Sequence, residues 1–198
     1  MTTFAPPPGA AAWRHLDART GFEVVHFRPL PDGHRIEGCT TAVEEGRTWV
    51  VDYVIELDAS WATRSARLAS RSAEGGRQIL LETDGAGRWR VDGAPASWLD
   101  GCLDVDLESS ALTNAFPVHR MRLGVGAASP APAAFVRAAD LAVDLAVERL
   151  EQRYARLPDE EGRQRYDYAA PVFDVACRLV YDGSGLVLDY PGLAVRAA

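Results

Sequence analysis

The chain has 198 residues, of which 47% are hydrophobic and 25% charged, a balance typical of a globular protein. All 21 basic residues are arginine and 28 residues are acidic, so the formal net charge of −7 disfavours contact with a nucleic-acid backbone. We expect a single domain over residues 1–198, with residues 1–12 as a flexible terminus because they are rich in alanine and proline. No signal peptide and no transmembrane segment is visible, which predicts a cytoplasmic protein.

Alternation of apolar and polar residues dominates the chain and predicts β-strands. In residues 49–57, large apolar residues occupy every second position, and Asp52 and Glu56 fall on the other face. In residues 22–30 the same alternation places Phe22, Val24 and His26 on one strand face and Glu23, Val25 and Phe27 on the other. Further strands are predicted at residues 79–82, 88–91, 118–123, 173–180 and 186–190.

Turn sequences separate these strands, among them Pro31-Asp-Gly, Asp92-Gly and the glycine-rich residues 84–87 and 182–185. Short strands at this spacing favour a meander, barrel or sandwich over a βαβ fold. Residues 135–154 are ambiguous, because apolar residues recur at helical spacing while strict alternation favours a strand. One short helical turn is expected within residues 109–114.

The most informative segment is 99–120, which carries three aspartates, including Asp104 and Asp106, between apolar residues. In a strand, Asp104 and Asp106 project from the same face, and two close carboxylates need a cation or hydrogen-bond donors. A structural ion pair with Arg120 is the first expectation, since its guanidinium suits a carboxylate. Contact with a ligand is the second, and metal binding or acid–base catalysis the third.

Polar residues follow the aspartates in the same segment. Thr113 and Asn114 can satisfy their own backbone in a turn, with Pro117 fixing the exit of the chain. The rival interpretation is that their side chains bind the hydroxyl groups of a sugar-like ligand. The residues leave both alternatives open.

Aromatic residues are abundant, and each one is by itself best explained as a core side chain. Together, on a strongly curved sheet, they could line a cavity, and Trp89 and Tyr190 are the best candidates because an aspartate lies close to each. The four histidines and three cysteines lack the spacing of a metal site, and no phosphate-binding glycine loop is present. We therefore predict no metal, no cofactor and no catalytic residue.

Several strings of the sequence resemble a bacterial family described as putative glycolipid-binding. They are residues 84–93 (DGAGRWRVDG), 99–106 (LDGCLDVD), 113–120 (TNAFPVHR) and 186–192 (LVLDYPG), and residues 61–64 and 152–154 fit the same pattern. The resemblance runs from about Trp13 to Arg196. It implies an all-β fold, a strongly curved antiparallel sheet or open barrel with little helix, similar to bacterial lipoprotein carriers. It also makes residues 140–156 a strand, although a proline expected near residues 138–140 is missing.

The predicted function is therefore the binding of an amphipathic small molecule, glycolipid-like, in a cavity of a curved sheet. The predicted ligand-binding residues are Trp89, Asp92, Asp104, Asp106, Thr113, Asn114, Arg120, Tyr154 and Tyr190. Two alternatives remain: a metal-free enzyme that uses the carboxylates of Asp104 and Asp106 in a cleft, and an interaction protein without a small ligand. The sequence gives no oligomeric state.

Overall fold

The computed structural model describes residues 4–17, 19–137 and 145–198. These residues form seventeen strands, one α-helix and three short 3₁₀ turns. The strands are β1 (Ala10–His15), β2 (Thr20–Leu30), β3 (Gly33–Glu44), β4 (Arg47–Asp58), β5 (Thr63–Ser72), β6 (Gln78–Thr83), β7 (Trp89–Val91), β8 (Ala94–Pro95), β9 (Asp104–Leu107), β10 (Ala128–Pro130), β11 (Ala133–Val136), β12 (Val147–Leu150), β13 (Arg153–Glu160), β14 (Arg163–Ala170), β15 (Val175–Tyr181), β16 (Val187–Tyr190) and β17 (Ala194–Arg196). The helix is α1 (Ala115–Met121), and the 3₁₀ turns are Ser97–Leu99, Leu112–Asn114 and Pro171–Phe173.

Fourteen strands form one antiparallel sheet in the order β10-β13-β14-β15-β16-β17-β1-β2-β3-β4-β5-β6-β7-β8. Strand β1 lies in the interior of this sheet, paired with β17 on one side and β2 on the other. The two end strands, β8 and β10, do not pair with each other, so the sheet is curved but not closed. The predicted all-β fold, an open curved sheet with little helix, is confirmed.

Alternation sets which side chains face inwards. In β4 the apolar residues at every second position from Trp49 to Leu57 are all buried. In β2 the buried face carries Glu23 and Val25, whereas Phe22 and Val24 are 51% and 43% exposed. Both faces of β2 are apolar in part, so alternation alone could not tell which one is inside.

A smaller sheet of order β12-β11-β9 and helix α1 fill the concave side of the large sheet. Strand β9 is buried along its whole length and pairs with β11 in parallel. From β5, the Thr63 backbone N–H donates to Leu103 O at 2.9 Å, and the Val105 N–H donates to Thr63 Oγ1 at 3.0 Å. From β15, the Tyr181 hydroxyl donates to Asn114 O at 3.1 Å. We call residues 104–121 the plug, because they bridge both halves of the large sheet from inside.

The predicted strand at residues 118–123 is wrong, because residues 115–121 form helix α1. Ala115 to His119 are all buried, and a run of consecutive buried residues inside the plug suits a helix better than a half-exposed strand. Pro117 does not fix the exit of a turn. It lies in the first turn of α1, where the missing N–H costs no helical hydrogen bond.

The ambiguous segment is extended wherever the structure describes it. Val147–Leu150 is strand β12, and β13 begins at Arg153, as the family resemblance implied. Residues 138–144 lie outside the described residues. Strand β15 begins at Val175 rather than at residue 173, since Pro171–Phe173 is a 3₁₀ turn. The short helical turn expected within residues 109–114 is found at Leu112–Asn114.

The expected flexible terminus, residues 1–12, overlaps β1, which begins at Ala10. Before it, the Ala5 N–H donates to Gly183 O at 2.9 Å. In the described part of the chain, no helix has the length and apolar character needed to cross a membrane.

Candidate functional site

A cavity of about 170 Å³ lies between the plug and the inner face of the large sheet. Its polar side is formed by residues from the plug and from two strands of the large sheet: Asp106, Ser110, Asn114, Tyr168 and Tyr190. Its apolar side comes from both sheets and the loops between them: Leu107, Phe135, Leu150, Ala170, Phe173, Val175 and Leu193. Glu108 and Arg19 complete the lining. The cavity therefore has a polar and an apolar wall.

Asp106 is a buried carboxyl group of the cavity and is only 6% exposed. The Thr113 hydroxyl donates to its Oδ1 at 2.6 Å. Burial raises the pKa of Asp106 to about 7, and the Thr113 hydrogen bond offsets only part of that rise. Near neutral pH this carboxyl can therefore both accept and donate a hydrogen bond, as carboxyl groups with raised pKa values in functional sites do.

Asn114 is held at the cavity by two tyrosines of the large sheet. Its Nδ2 donates to the Tyr154 hydroxyl at 2.8 Å, and its backbone O accepts from the Tyr181 hydroxyl. Tyr154 is completely buried behind Asn114, so it positions the amide. Tyr168 and Tyr190 lie edge to face, with ring centroids 5.8 Å apart. Burial raises the pKa of both phenols, which therefore stay protonated at neutral pH.

Asp104 and Arg120 form the expected ion pair. Arg120 Nη2 and Nε lie 2.6 and 3.1 Å from the two Asp104 oxygens, a bidentate geometry. Burial raises the pKa of Asp104, and the contact with Arg120 counteracts this rise. Because the guanidinium occupies both of its oxygens, Asp104 has a structural role beside the cavity.

Trp89 and Asp92 lie apart from the other predicted site residues. The Trp89 indole donates to Cys102 O at 2.9 Å, and Trp89 borders an outer groove together with Asp84 and Arg88. Asp92 is in the β7–β8 turn, where its side chain accepts from the Leu80 N–H. The structure thus brings together Asp106, Asn114 and Tyr190 at the cavity, with Thr113 and Tyr154 supporting them.

Sequence reasoning missed Glu23, which is completely buried on β2. Its carboxyl group accepts from the Tyr53 hydroxyl at 2.6 Å, the Ser110 hydroxyl at 2.5 Å and the Ala111 N–H at 2.9 Å. Burial raises the pKa of Glu23, and these hydrogen bonds lower it. Glu23 therefore fixes Ser110 at the cavity and ties the plug to the large sheet.

One signal in the sequence could have pointed to this contact. Gly38 lies inside β3, and glycine in a strand interior often marks a close approach of another group. A Cβ at Gly38 would lie 2.2 Å from Cζ of Tyr53. The absence of a side chain at Gly38 therefore leaves space for the Tyr53 ring, whose hydroxyl contacts Glu23.

Among the described residues, no group of three His, Cys, Asp or Glu side chains is arranged to hold a metal ion. The arrangement instead offers hydroxyl, amide and carboxyl groups on one side of a small cavity and apolar groups on the other. Such a site can bind a small group that carries several hydroxyls beside an apolar surface.

Comparison with known proteins agrees with this architecture. A crystal structure of a protein of the DUF1089 family from Pseudomonas aeruginosa matches with a TM-score of 0.71 and 28% identity, over 100% of this chain and 99% of that one. A β-barrel-like protein of the domain of unknown function DUF1849 from Brucella abortus matches in fold, with a TM-score of 0.50 and 11% identity over 98% and 96% of the chains. No curated protein matches the sequence. A family model matches residues 10–196, and the chain therefore belongs to the family described as "Putative glycolipid-binding".

Proposed function

We propose that this protein binds an amphipathic small molecule of the glycolipid type, with the polar head in the cavity. The observation that carries the proposal is the convergence of Asp106, Ser110, Asn114 and Tyr190 on a cavity whose opposite wall is apolar. All four are buried, and all four offer groups that hydrogen-bond to hydroxyls. The family description points in the same direction.

The size of the cavity limits which part of the ligand enters. Its volume of about 170 Å³ is close to that of a cavity that admits a single benzene ring, about 150 Å³. Sites that enclose whole drug-sized ligands occupy roughly 300–1,000 Å³. One sugar-sized ring therefore fits, and the chain of a lipid must lie outside.

The rim of the cavity offers a place for that chain. Phe173 lines the cavity and is 39% exposed, and the adjacent Val172 is 71% exposed. Phe173 packs on Phe135 with ring centroids 5.2 Å apart, so the apolar surface continues from the cavity wall to the outside. An acyl or alkyl chain attached to a bound head would cover this surface.

The enzyme alternative has less support. It needs two free carboxylates, and Arg120 occupies both oxygens of Asp104. Of the two aspartates that this alternative invokes, Asp106 lines the cavity and Asp104 does not.

The proposal is tested with n-octyl β-D-glucoside, kept below its micelle-forming concentration, by titration calorimetry on the full chain. Ala170→Leu adds three carbons to the cavity wall and should weaken binding by about tenfold or more, since an overpacked site excludes the ring. Ala169→Leu is the matched control, because Ala169 lies on the other face of β14 and should leave affinity unchanged. Absence of binding to the wild type, or equal affinity for the wild type and Ala170→Leu, would refute the proposal.

A further inference from the structure

Buried polar atoms without a partner are concentrated in one corner of the molecule. Seven such side-chain atoms occur among the described residues, and five come from residues close together in the fold: His15 Nδ1, Arg19 Nη1, Glu44 Oε2, Trp49 Nε1 and Ser109 Oγ. We call these five residues the polar corner. Buried polar atoms in folded proteins nearly always have partners, so these atoms mark a place where ordered water or the polar groups of a bound molecule complete the hydrogen bonds.

Short contacts join the members of the polar corner. Arg19 Nη2 lies 3.3 Å from Glu44 Oε1, and the Arg19 guanidinium carbon lies 5.6 Å from the centre of the Trp49 ring. His15 Nε2 lies 2.9 Å from the Thr40 hydroxyl oxygen, and this hydroxyl donates to Ser109 O at 3.1 Å. These contacts form two groups, Arg19 with Glu44 and Trp49, and His15 with Ser109 through Thr40. The two groups are neighbours, because the charge of Arg19 acts on the pKa of His15.

The polar corner adjoins the cavity. Arg19 belongs to the corner and also lines the cavity. Ser110, the residue after Ser109, lines it as well and is fixed by Glu23. Arg19 is therefore the member of the corner that a molecule in the cavity meets directly, and Ser109 is joined to the cavity through its chain neighbour Ser110.

The chemistry of the unpartnered atoms selects a class of partner. Trp49 Nε1 and Arg19 Nη1 can only donate a hydrogen bond, Glu44 Oε2 as a carboxylate can only accept one, and the Ser109 hydroxyl can do both. A phosphate offers acceptors and would leave Glu44 unsatisfied, whereas an ammonium group offers donors and would leave Trp49 and Arg19 unsatisfied. Neighbouring hydroxyl groups supply donors and acceptors together.

The charges of the corner lead to the same class. Arg19 and Glu44 form an ion pair, so their charges balance. Burial, together with the charge of Arg19, lowers the pKa of His15 to about 4, and the imidazole is neutral at pH 7. A charged head would meet no compensating charge in the corner.

We propose that the polar corner is a subsite for adjacent hydroxyl groups of an uncharged sugar or polyol head. This inference rests on the proposed function, since the head reaches the corner through the cavity. It adds the charge class of the ligand and a second set of contacts to it.

The test uses variants that remove one unpartnered group each. Trp49→Phe deletes the indole N–H and keeps an aromatic ring, and Ser109→Ala deletes the hydroxyl. Each should weaken binding of n-octyl β-D-glucoside about fivefold, the worth of one hydrogen bond to a ligand. Neither should lower the free energy of unfolding through a lost protein hydrogen bond, because the deleted group makes none in the protein. A merely structural role would change stability and leave affinity untouched.

Trp13→Phe is the matched control. The Trp13 indole donates to Val187 O at 2.7 Å, so its loss should lower stability without weakening glucoside binding. Octyl phosphate and octylamine carry the same chain on an acceptor-only and a donor-only head. Wild-type protein should bind both at least about tenfold more weakly than the glucoside.

The outcomes separate the two proposals. If the glucoside binds and Ala170→Leu weakens it, but Trp49→Phe and Ser109→Ala bind as tightly as the wild type, the corner holds only water and the subsite is refuted. The subsite is also refuted if octyl phosphate or octylamine binds as tightly as the glucoside. If the wild type binds no glucoside at all, the proposed function fails and the subsite fails with it.

Discussion

The contact of Glu23 with the plug gives the sharpest prediction for stability. Replacement of Glu23 by Ala leaves three well-placed donors without an acceptor: the Tyr53 hydroxyl, the Ser110 hydroxyl and the Ala111 N–H. All three residues are buried, so water does not readily replace the carboxyl oxygens.

The size of the effect follows from these contacts. A buried donor without its partner costs about 1–3 kcal/mol, and three would cost about 3–9 kcal/mol if they added. Burial of the charged carboxyl is itself unfavourable, as the raised pKa of Glu23 shows. Its removal therefore returns some stability and reduces the net loss. We expect Glu23→Ala to lower the free energy of unfolding by about 3–5 kcal/mol, a large share of the usual 5–15 kcal/mol.

Urea denaturation followed by tryptophan fluorescence measures this loss. Glu23→Gln keeps one acceptor oxygen but turns an amide NH₂ towards the backbone donors, so it should lose about 2 kcal/mol. Glu82→Ala on β6 is the control, because Glu82 is exposed and its removal should change stability by less than about 0.5 kcal/mol. A Glu23→Ala protein within about 1 kcal/mol of the wild type would refute the idea that this carboxyl anchors the plug.

Two further predictions concern the aspartates of β9. Arg120→Met should lower the free energy of unfolding, measured by urea denaturation, by about 3–5 kcal/mol, because it leaves the carboxylate of Asp104, 1% exposed, without its partner. Adding Asp104→Leu to the same chain should recover most of this loss. A small loss in the single variant would contradict the prediction. Because the pKa of Asp106 is raised from 3.8 to about 7, folding binds its proton, and its contribution to stability falls as pH rises from about 4 to about 7, by up to roughly 4 kcal/mol. Asp106→Asn should remove this fall, so the variant should gain stability relative to the wild type between about pH 5 and pH 8, roughly the span of the titration. The lowered pKa of the buried His15 changes stability with pH in the opposite direction, but this effect is common to both proteins and cancels in the comparison.

Local patterns predicted the strands well, for a physical reason. Alternation records which face of a strand is buried, and in β4 the inner face is apolar and the outer face carries Asp52 and Glu56. The ion pair of Asp104 and Arg120 was also predictable, since the two residues lie near each other along the chain and their chemistry is complementary. Such features depend on neighbours in sequence.

The cavity could not be predicted in the same way, because residues distant in sequence form it. Ser110 lines the cavity, but Glu23, which fixes it, is 87 positions away, and only the pairing order of the large sheet brings β2 to the plug. The parallel pairing of β9 with β11 is likewise set by the tertiary fold. Trp89 looked like a cavity residue because Asp92 lies near it in sequence, yet strand β7 lies close to the end of the large sheet, away from Tyr190.

The plug also explains why the site is small. A curved sheet of this length would leave a wide concave face, and the plug fills it with its own apolar side chains, among them Phe116 and Leu112. What stays open is the space between Asp106 on the plug and Tyr190 on the sheet. Because the polar wall of the cavity is shared between the plug and the large sheet, we expect a ligand bound there to hold the two together. It should then stabilise the folded chain by mass action, by about 2.7 kcal/mol at a hundred times its Kd. In the proposed function, the segment that would contact the head of the ligand is therefore the same segment that fills the concave face of the open sheet.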